Sequence, residues 1–260
     1  MPPAGARLLD LLWDRYAAHV PWARTFVRLA GGAFCNDHVA FRSLARPGGG
    51  LEAMAPVFER LGWRRAGSYD FPDARLSAIH LSHPDGLPRV FVSELRAGEL
   101  PAPAQALLAR LPVDPPAPRA GPDAAQAEVA ALADWFCAPR EPPREEELLA
   151  LEAASQYGAW LLAFGREVNH FTAAVEDVAA WAERLAAAGV PMKGEVEGAP
   201  GADLRQTATK AAPRPIRVLR AGVEAVRDWP YAYLELAERR NGFDGFVAAQ
   251  ARQLFEMTRR

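Results

Sequence analysis

Apolar residues recur at helical spacing at the start of the chain, as Leu8, Leu9, Leu12, Trp13 and Tyr16, and again after Pro21 as Phe26, Val27 and Leu29. This predicts an N-terminal helical cap. The period then changes. Residues 34–44 read as a strand with Val39 and Phe41 on one side and His38, Ala40 and Arg42 on the other, because side chains alternate along an extended chain. Leu51, Met54, Val57, Phe58 and Leu61 make a helical stripe that stops at Gly62, a residue suited to the left-handed turn after a helix. Three strands are predicted next, at 63–71, 76–81 and 89–95, separated by the turn residues Pro72-Asp73 and Pro84-Asp85-Gly86. The order is βαβββ.

From 97 to 165 the pattern becomes proline-rich and then helical, which marks an insertion. A helix is predicted over 124–136, and the acidic run Glu145-Glu146-Glu147 opens another that continues through Leu148, Leu151, Tyr157, Trp160 and Leu161. Carboxylates in a first turn suit the helix dipole, so this run is read as structural. A second βαβββ pattern then begins. Val168 to Ala174 reads as a strand, Val178, Trp181 and Leu185 form a helical stripe ending at Gly189, and strands follow at 192–196, 204–210 and 231–237. A loop containing Pro213 and Pro215 separates the last two. The stretch Val92-Ser93-Glu94-Leu95 is echoed by Tyr233-Leu234-Glu235-Leu236, and His38 by His170. The expectation is an α+β fold of two such modules forming a curved mixed sheet. Residues 1–260 are read as a single domain, with module one at about 34–96, the helical insertion at about 97–165, module two at about 166–240 and a C-terminal helix at about 241–260.

Composition narrows the function classes. The 260 residues are 50% hydrophobic and 24% charged, and 30 basic against 32 acidic residues give a net charge of −2. That balance supplies no electrostatic reason to bind nucleic acid or an anionic membrane. Two cysteines, Cys35 and Cys137, make neither a disulfide framework nor a thiolate cluster, and a reducing, cytoplasmic setting is expected. No apolar stretch reaches the roughly 20 residues needed to span a bilayer, and the N-terminus carries no signal-peptide pattern. A small-molecule substrate is the remaining expectation, with the oligomeric state left open.

A lone strand histidine is most often a hydrogen-bonded core residue, the reading given to His19, His80 and His83, with His80 kept as a pocket candidate. His38 and His170 differ because the repeated frame puts both on first strands and offers Glu235 on a last strand. Two imidazoles and a carboxylate form the donor set of a facial triad, which leaves positions open on a metal. Glu94 occupies the corresponding place in the first module and would make a fourth ligand. Gln206 alternates with Thr207 and Thr209 on a predicted strand, so either set could face a pocket. Lys210 could add positive charge, Tyr233 shares the face of Glu235, and Glu238 lies on the other face in a supporting role.

The strand Asn36-Asp37-His38-Val39-Ala40-Phe41-Arg42, the strand Val90-Phe91-Val92-Ser93-Glu94-Leu95, the pair Asn169-His170 and the stretch Tyr233 to Arg239 resemble the 2-oxoadipate dioxygenase/decarboxylase family, within the vicinal oxygen chelate superfamily. The resemblance implies Fe(II) held by His38, His170 and Glu235, with Arg42 binding a carboxylate of a 2-oxo acid; Gln206, Thr207 and Thr209 stand beside these as substrate-contact candidates from strand alternation alone. It also implies oxidative decarboxylation with dioxygen, taking a 2-oxoadipate-like acid to a 2-hydroxyglutarate-like acid and CO2. Longer members carry a C-terminal extension that shapes the pocket, and this sequence ends soon after Glu235, so the substrate is less constrained than the chemistry. Two alternatives stay open: a glyoxalase-type isomerase or lyase using Glu94 as a fourth ligand, and a metal-free small-molecule-binding protein.

Overall fold

The computed structural model of the chain describes residues 1–113, 115–247 and 258. The N-terminal stripes fold as α1 (Ala4–His19) and α2 (Pro21–Leu29). Leu8, Leu9, Leu12 and Tyr16 form the buried side of α1, the spacing that stacks side chains on one helix face. Tyr16 also donates its hydroxyl to the carbonyl of Tyr233 at 2.6 Å, which ties the cap to the strand carrying Glu235.

The first unit follows the sequence closely: β1 (Asn36–Leu44), α3 (Gly50–Glu59), β2 (Arg64–Phe71), β3 (Leu76–Ser82) and β4 (Arg89–Leu95). Gly62 has a φ of +107°, and a Cβ there would lie 2.6 Å from His83 Nε2. Conformation and space both call for glycine.

The insertion holds α4 (Ala102–Ala109), α5 (Gln126–Phe136), α6 (Glu145–Ala154) and α7 (Gln156–Phe164). The single helix expected from the acidic run to Leu161 is therefore two helices. Ser155 is extended, with a φ of −161°, and its hydroxyl accepts the N–H of Gly158 at 3.1 Å, which ends α6 and caps α7. The apolar stripe continues through the break because α7 buries Tyr157, Trp160 and Leu161 in turn. Glu145 pairs with Arg220 and Arg227, which hold its carboxyl down at about 2. The acidic run is structural.

In the second unit β5 (Val168–Ala174) and α8 (Val178–Ala187) stand as predicted. Asp177 accepts the N–H groups of Ala179 and Ala180, each at 3.0 Å, to start α8. The remaining strands differ from expectation. The strand expected at 192–196 is reduced to isolated bridges, Met192 with Thr209 and Glu197 with Gln206. After β6 (Leu204–Ala208), the supposed proline loop is a strand, β7 (Ala212–Arg220), which makes a hairpin with the long β8 (Val223–Arg239). β7 has its ladder with β8 and one isolated bridge, from Leu219 to Arg144, and an edge strand tolerates Pro213 and Pro215 because the N–H groups on its open side have no ladder to fill.

The strands join in the order β2-β3-β4-β1-β5-β8-β6, with β7 attached to β8. β1 runs parallel to β4, β5 parallel to β8, and the two halves meet at the antiparallel pair β1 and β5. This is the expected curved, mixed α+β architecture. Phe41 packs on Phe58 and Phe136, with ring centroids 5.3 and 4.9 Å away, so the Val39 and Phe41 side of β1 faces the helices and the His38 and Arg42 side is left for the site. Among the described residues no helix is long and apolar enough to cross a membrane. The C-terminal helix expected at 241–260 falls mostly outside the described residues, and 241–247 form a turn and irregular chain.

Candidate metal centre

His38 on β1, His170 on β5 and Glu235 on β8 come from three adjacent strands. Thr172 pairs with His38 on one side and with Glu235 on the other, so these three residues form one row across the sheet. His170 lies two residues from Thr172 and therefore on the same face. One ligand atom from each of His38, His170 and Glu235 lies within 4.8 Å of the others. Nε2 of His38 is 3.6 Å from Glu235 Oε1, and Nε2 of His170 is 3.4 Å from Glu235 Oε2. All three side chains are buried.

Neighbouring acceptors fix the imidazoles. Asp37 Oδ1 is 2.7 Å from His38 Nδ1, and Asn169 Oδ1 is 3.1 Å from His170 Nδ1. Each oxygen only accepts, so each Nδ1 donates and each Nε2 keeps its lone pair for the centre. Thr172 agrees with this tautomer, its hydroxyl donating to His38 Nε2 at 3.0 Å. Arg239 grips Asp37 with two bonds of 2.7 and 3.0 Å, and Arg89 approaches at 3.4 Å. Burial alone would raise the Asp37 carboxyl, but His38 and Arg239 hold it well below the usual carboxylate range.

Burial pushes the pKa of both histidines down, aided at His170 by the charges of His38 and Arg42. Burial, and then the negative charges of Glu197 and Asp37, push Glu235 well above the carboxylate range. Glu235 Oε2 is buried with no hydrogen-bond partner among the described residues. Two imidazoles with a free lone pair at Nε2 and an under-satisfied carboxylate oxygen at a buried position fit a divalent metal ion, which would remove the penalty on the carboxylate.

Arg42 is buried on this same side. Its guanidinium lies over the rings of Tyr157 (4.7 Å) and Trp160 (5.2 Å) and donates to Thr258 Oγ1 at 2.9 Å. In the antiparallel pairing of β6 with β8, Gln206 faces Ala237 and Ala208 faces Glu235, so Gln206 shares the face of Glu235. Its Oε1 is also buried without a partner among the described residues. Thr207 and Thr209 point the other way. Thr207 donates to the Glu195 carbonyl at 2.7 Å, and Thr209 donates to the Lys210 carbonyl and accepts the Leu234 N–H. Of the two sets that alternation left open, it is Gln206 that shares the face of Glu235.

Glu94 is not in the group. Its Oε2 accepts the N–H of Leu51 at the start of α3, 2.9 Å away, as Glu238 Oε2 accepts that of Val178 at the start of α8, 3.1 Å away. Glu94 and Glu238 are therefore counterparts, and the sequence echo between Glu94 and Glu235 is displaced by three residues. In the parallel pairings Ala40 faces Phe91 and Thr172 faces Glu235, each two residues beyond its histidine. Phe91 occupies in the first half the place that Glu235 holds in the second.

Sequence reasoning missed one polar wall. Lys193 pairs with Glu197, and Gln206 donates to the same carboxylate at 3.3 Å. Alternation from Lys193 to Glu197 was the available signal. Lys210, which could have added positive charge or ended the strand in solvent, is exposed. On the other flank Phe246 sets its ring 4.8 Å from that of His38 and 4.9 Å from that of Phe91. Its N–H donates to Tyr69 Oη at 3.2 Å, and Tyr69 Oη lies 2.8 Å from His80 Nδ1. Tyr233 stacks on His170 at 4.6 Å.

Comparison with known proteins identifies the family and the fold. Residues 29–257 match the family described as 2-oxoadipate dioxygenase/decarboxylase. A rice protein of that name, chloroplastic/amyloplastic, is 29% identical over 172 residues, covering 60% of this chain and 45% of the relative. The chain thus spans under half the length of that relative. Among solved structures, a glyoxalase superfamily protein from Ralstonia eutropha superposes with a TM-score of 0.85 at 24% identity, covering 95% of this chain and 88% of that one. Rice hydroxyglutarate synthase in complex with 2-oxoadipate superposes with a TM-score of 0.82 at 23% identity, covering 97% and 91%. At these identities the superpositions establish the fold.

Proposed function

The chain belongs to the 2-oxoadipate dioxygenase/decarboxylase family, and from that membership we propose that it is an Fe(II)-dependent enzyme that oxidatively decarboxylates a 2-oxoadipate-like acid with dioxygen to a 2-hydroxyglutarate-like acid and CO2. The observation that carries this reading is the convergence of two imidazole nitrogens and one carboxylate within 4.8 Å on a buried sheet face. Such a set leaves coordination positions open for substrate and dioxygen. The atoms balance with the 2-oxo acid as its own reductant, so no further electron donor is needed.

Fe(II), when bound, supplies the redox chemistry with dioxygen. The protein's residues do the rest. Asp37 and Asn169 hold His38 and His170 as neutral donors through Nδ1. Arg42, clamped between Tyr157, Trp160 and Thr258, offers a planar cation to a substrate carboxylate. Gln206 and the Lys193–Glu197 pair provide polar contacts beside Glu235, while Phe91, Phe246 and Tyr233 exclude water. In this reading the two βαβββ halves and the inserted helices are one domain, working in the cytoplasm on a small-molecule substrate.

No observation favours the glyoxalase-type alternative, because Glu94 caps α3 and Phe91 takes the position where a fourth carboxylate would stand. Anaerobic loading with Fe(II), followed by oxygen uptake across 2-oxo acids of five to seven carbons, tests the proposal. Iron bound at the site without oxygen uptake on any of these acids overturns it, and failure to bind metal would favour a metal-free binding protein.

A further inference from the structure

β8 ends at Arg239 among the strands of the second half, between β5 and β6, yet the residues that follow it lie on the first half. Asn241 and Gly242, with φ of +52° and +69°, turn the chain back, and the Phe243 N–H donates to the Arg240 carbonyl at 2.9 Å. Residues 243–246 then touch all four strands of the first unit. Ser82 on β3 donates its hydroxyl to Asp244 Oδ2 at 3.1 Å, and Arg89 on β4 donates Nε to the Asp244 carbonyl at 3.0 Å and pairs with its carboxylate. The Phe246 N–H is held by Tyr69 Oη on β2, at 3.2 Å, and the Phe246 ring stands edge-on to His38 of β1, 4.8 Å away at 88°.

Two arginines connect this segment to the metal centre. Arg239 donates Nε and Nη2 to Asp37, and its Nη1 donates to the Gly245 carbonyl at 2.6 Å. Arg89 sets Nη1 3.4 Å from Asp37 Oδ2 while its Nε holds Asp244. Each guanidinium therefore keeps one edge on the carboxylate that orients His38 and another on residues 244–245. A guanidinium is a rigid planar fork, so a displacement of those residues turns the donors that face Asp37. The two grips differ in strength. Asp37 is buried, whereas the Asp244 side chain is 57% exposed, and an ion pair in such a place adds little to folding stability. Asp244 is thus a weak fastening on a segment whose other attachments lead to His38.

We propose that residues 243–246 form a strap whose docking is coupled to metal binding, with Asp244 acting as a positioning residue for His38 through Arg89 and Asp37. The inference rests on the metal centre of the proposed function and not on the reaction run there. An ion on His38 Nε2 favours the ring orientation that Asp37 sets through Nδ1. Asp37 is held in that place by the two guanidinium groups, and the docked strap holds both of them. Coupling of this kind is reciprocal: the factor by which the docked strap strengthens metal binding is the factor by which the metal strengthens docking.

Titration of the full chain with Co(II), a redox-stable ion whose visible absorption reports binding, tests the coupling, and hydrogen exchange at the Phe246 amide gives a second readout. Asp244→Ala is expected to bind Co(II) at least about five-fold more weakly than the parent, the lower end of coupling between sites, and to keep its fold because the position is exposed. Asp244→Glu, which keeps the carboxylate, is expected to recover most of the affinity. In the parent, Co(II) is expected to slow exchange at Phe246 by a similar factor. In His170→Ala, which removes a ligand and leaves the strap's contacts untouched, the same addition is expected to change nothing. Equal Co(II) affinity in Asp244→Ala, or exchange at Phe246 that ignores Co(II) in the parent, overturns the coupling and leaves the metal centre standing. A parent that binds no Co(II) overturns the metal centre, and the coupling falls with it.

Discussion

Phe91 stands in the first half of the sheet where Glu235 stands in the second, each two register positions past a site histidine. A carboxylate at Phe91 would close the ring of ligands. Phe91→Glu is therefore expected to retain metal and to lose at least about ten-fold in oxygen uptake, because open coordination positions are what dioxygen chemistry requires. Phe91→Leu is expected to stay within about two-fold of the parent. Equal uptake by a folded, metal-loaded Phe91→Glu would sink the idea that three ligands are the functional number.

Asp37 joins His38 Nδ1 to Arg239 and Arg89. Removing it in Asp37→Ala leaves His38 free to turn and strands two cations in a part-buried place. Metal affinity, measured by competition with a chelator, should fall by roughly 10–100-fold. The thermal midpoint should fall as well, since breaking a buried pair costs about 3–5 kcal/mol. Asp37→Asn keeps an acceptor for Nδ1 and should lose less affinity than Asp37→Ala.

Arg42 sits beside the centre without contributing a ligand atom to it. Arg42→Met preserves the stem between Tyr157 and Trp160 but removes the charge. Its metal content should match the parent, and its KM for a 2-oxo acid should rise by about ten-fold or more, the scale of a charged hydrogen bond of about 1.5–3 kcal/mol. Loss of metal in a folded Arg42→Met would show that Arg42 acts on the centre itself.

Gln206 and Thr207 are neighbours in sequence with opposite expectations. Gln206→Leu should alter KM or kcat because Gln206 shares the face of Glu235. Thr207→Val should leave both parameters within about two-fold and cost about 1 kcal/mol of stability, the worth of its bond to the Glu195 carbonyl. Steady-state kinetics and denaturant titration of the two variants separate the faces, and a large kinetic defect in Thr207→Val would reverse the assignment.

His80 supplies a pH dependence outside the ligand set. Burial lowers its pKa from an ordinary 6.5 to about 4, so the unfolded chain takes up this proton more readily than the folded one. Stability is then full above about pH 6.5 and declines as the pH falls toward about 4. Protonation also removes the Nδ1 acceptor for the Tyr69 hydroxyl, which in turn holds the Phe246 N–H. Between these pH values the melting temperature of His80→Gln should fall less than that of the parent; parallel curves would show that His80 does not carry the effect.

The first half was legible almost to the residue because its strands alternate cleanly and its turns contain proline, aspartate and glycine. The three candidate ligands were legible for a related reason: strand alternation fixes a side chain's face wherever the strand itself is recognised. The second half was harder. Pro213 and Pro215 conceal β7 from any pattern that treats proline as a strand breaker, and only its edge position explains them. The chain at 192–196 alternates like a strand yet finds only isolated bridges. The matched glutamates misled for a subtler reason. Glu94 and Glu238 recur because each half must satisfy the first amides of its helix, whereas Glu235 is an addition unique to one half, and spacing alone could not distinguish a helix cap from a metal donor. Lys193 and Glu197 became visible only once β6 was placed.

The antiparallel seam between β1 and β5 has a consequence for the order of events in synthesis. His38 and His170 lie about half the chain apart, and Glu235 comes later still. A ribosome that has released the first half has made one imidazole donor and an aromatic plug, with nothing to keep an ion in place. Closing so long a loop is slow and entropically costly, so the metal-binding pocket can exist only after the seam has zipped and β8 has docked on β5. Loading of this candidate metal centre is therefore expected as a finishing step, and an ion held there would certify that both halves have found each other.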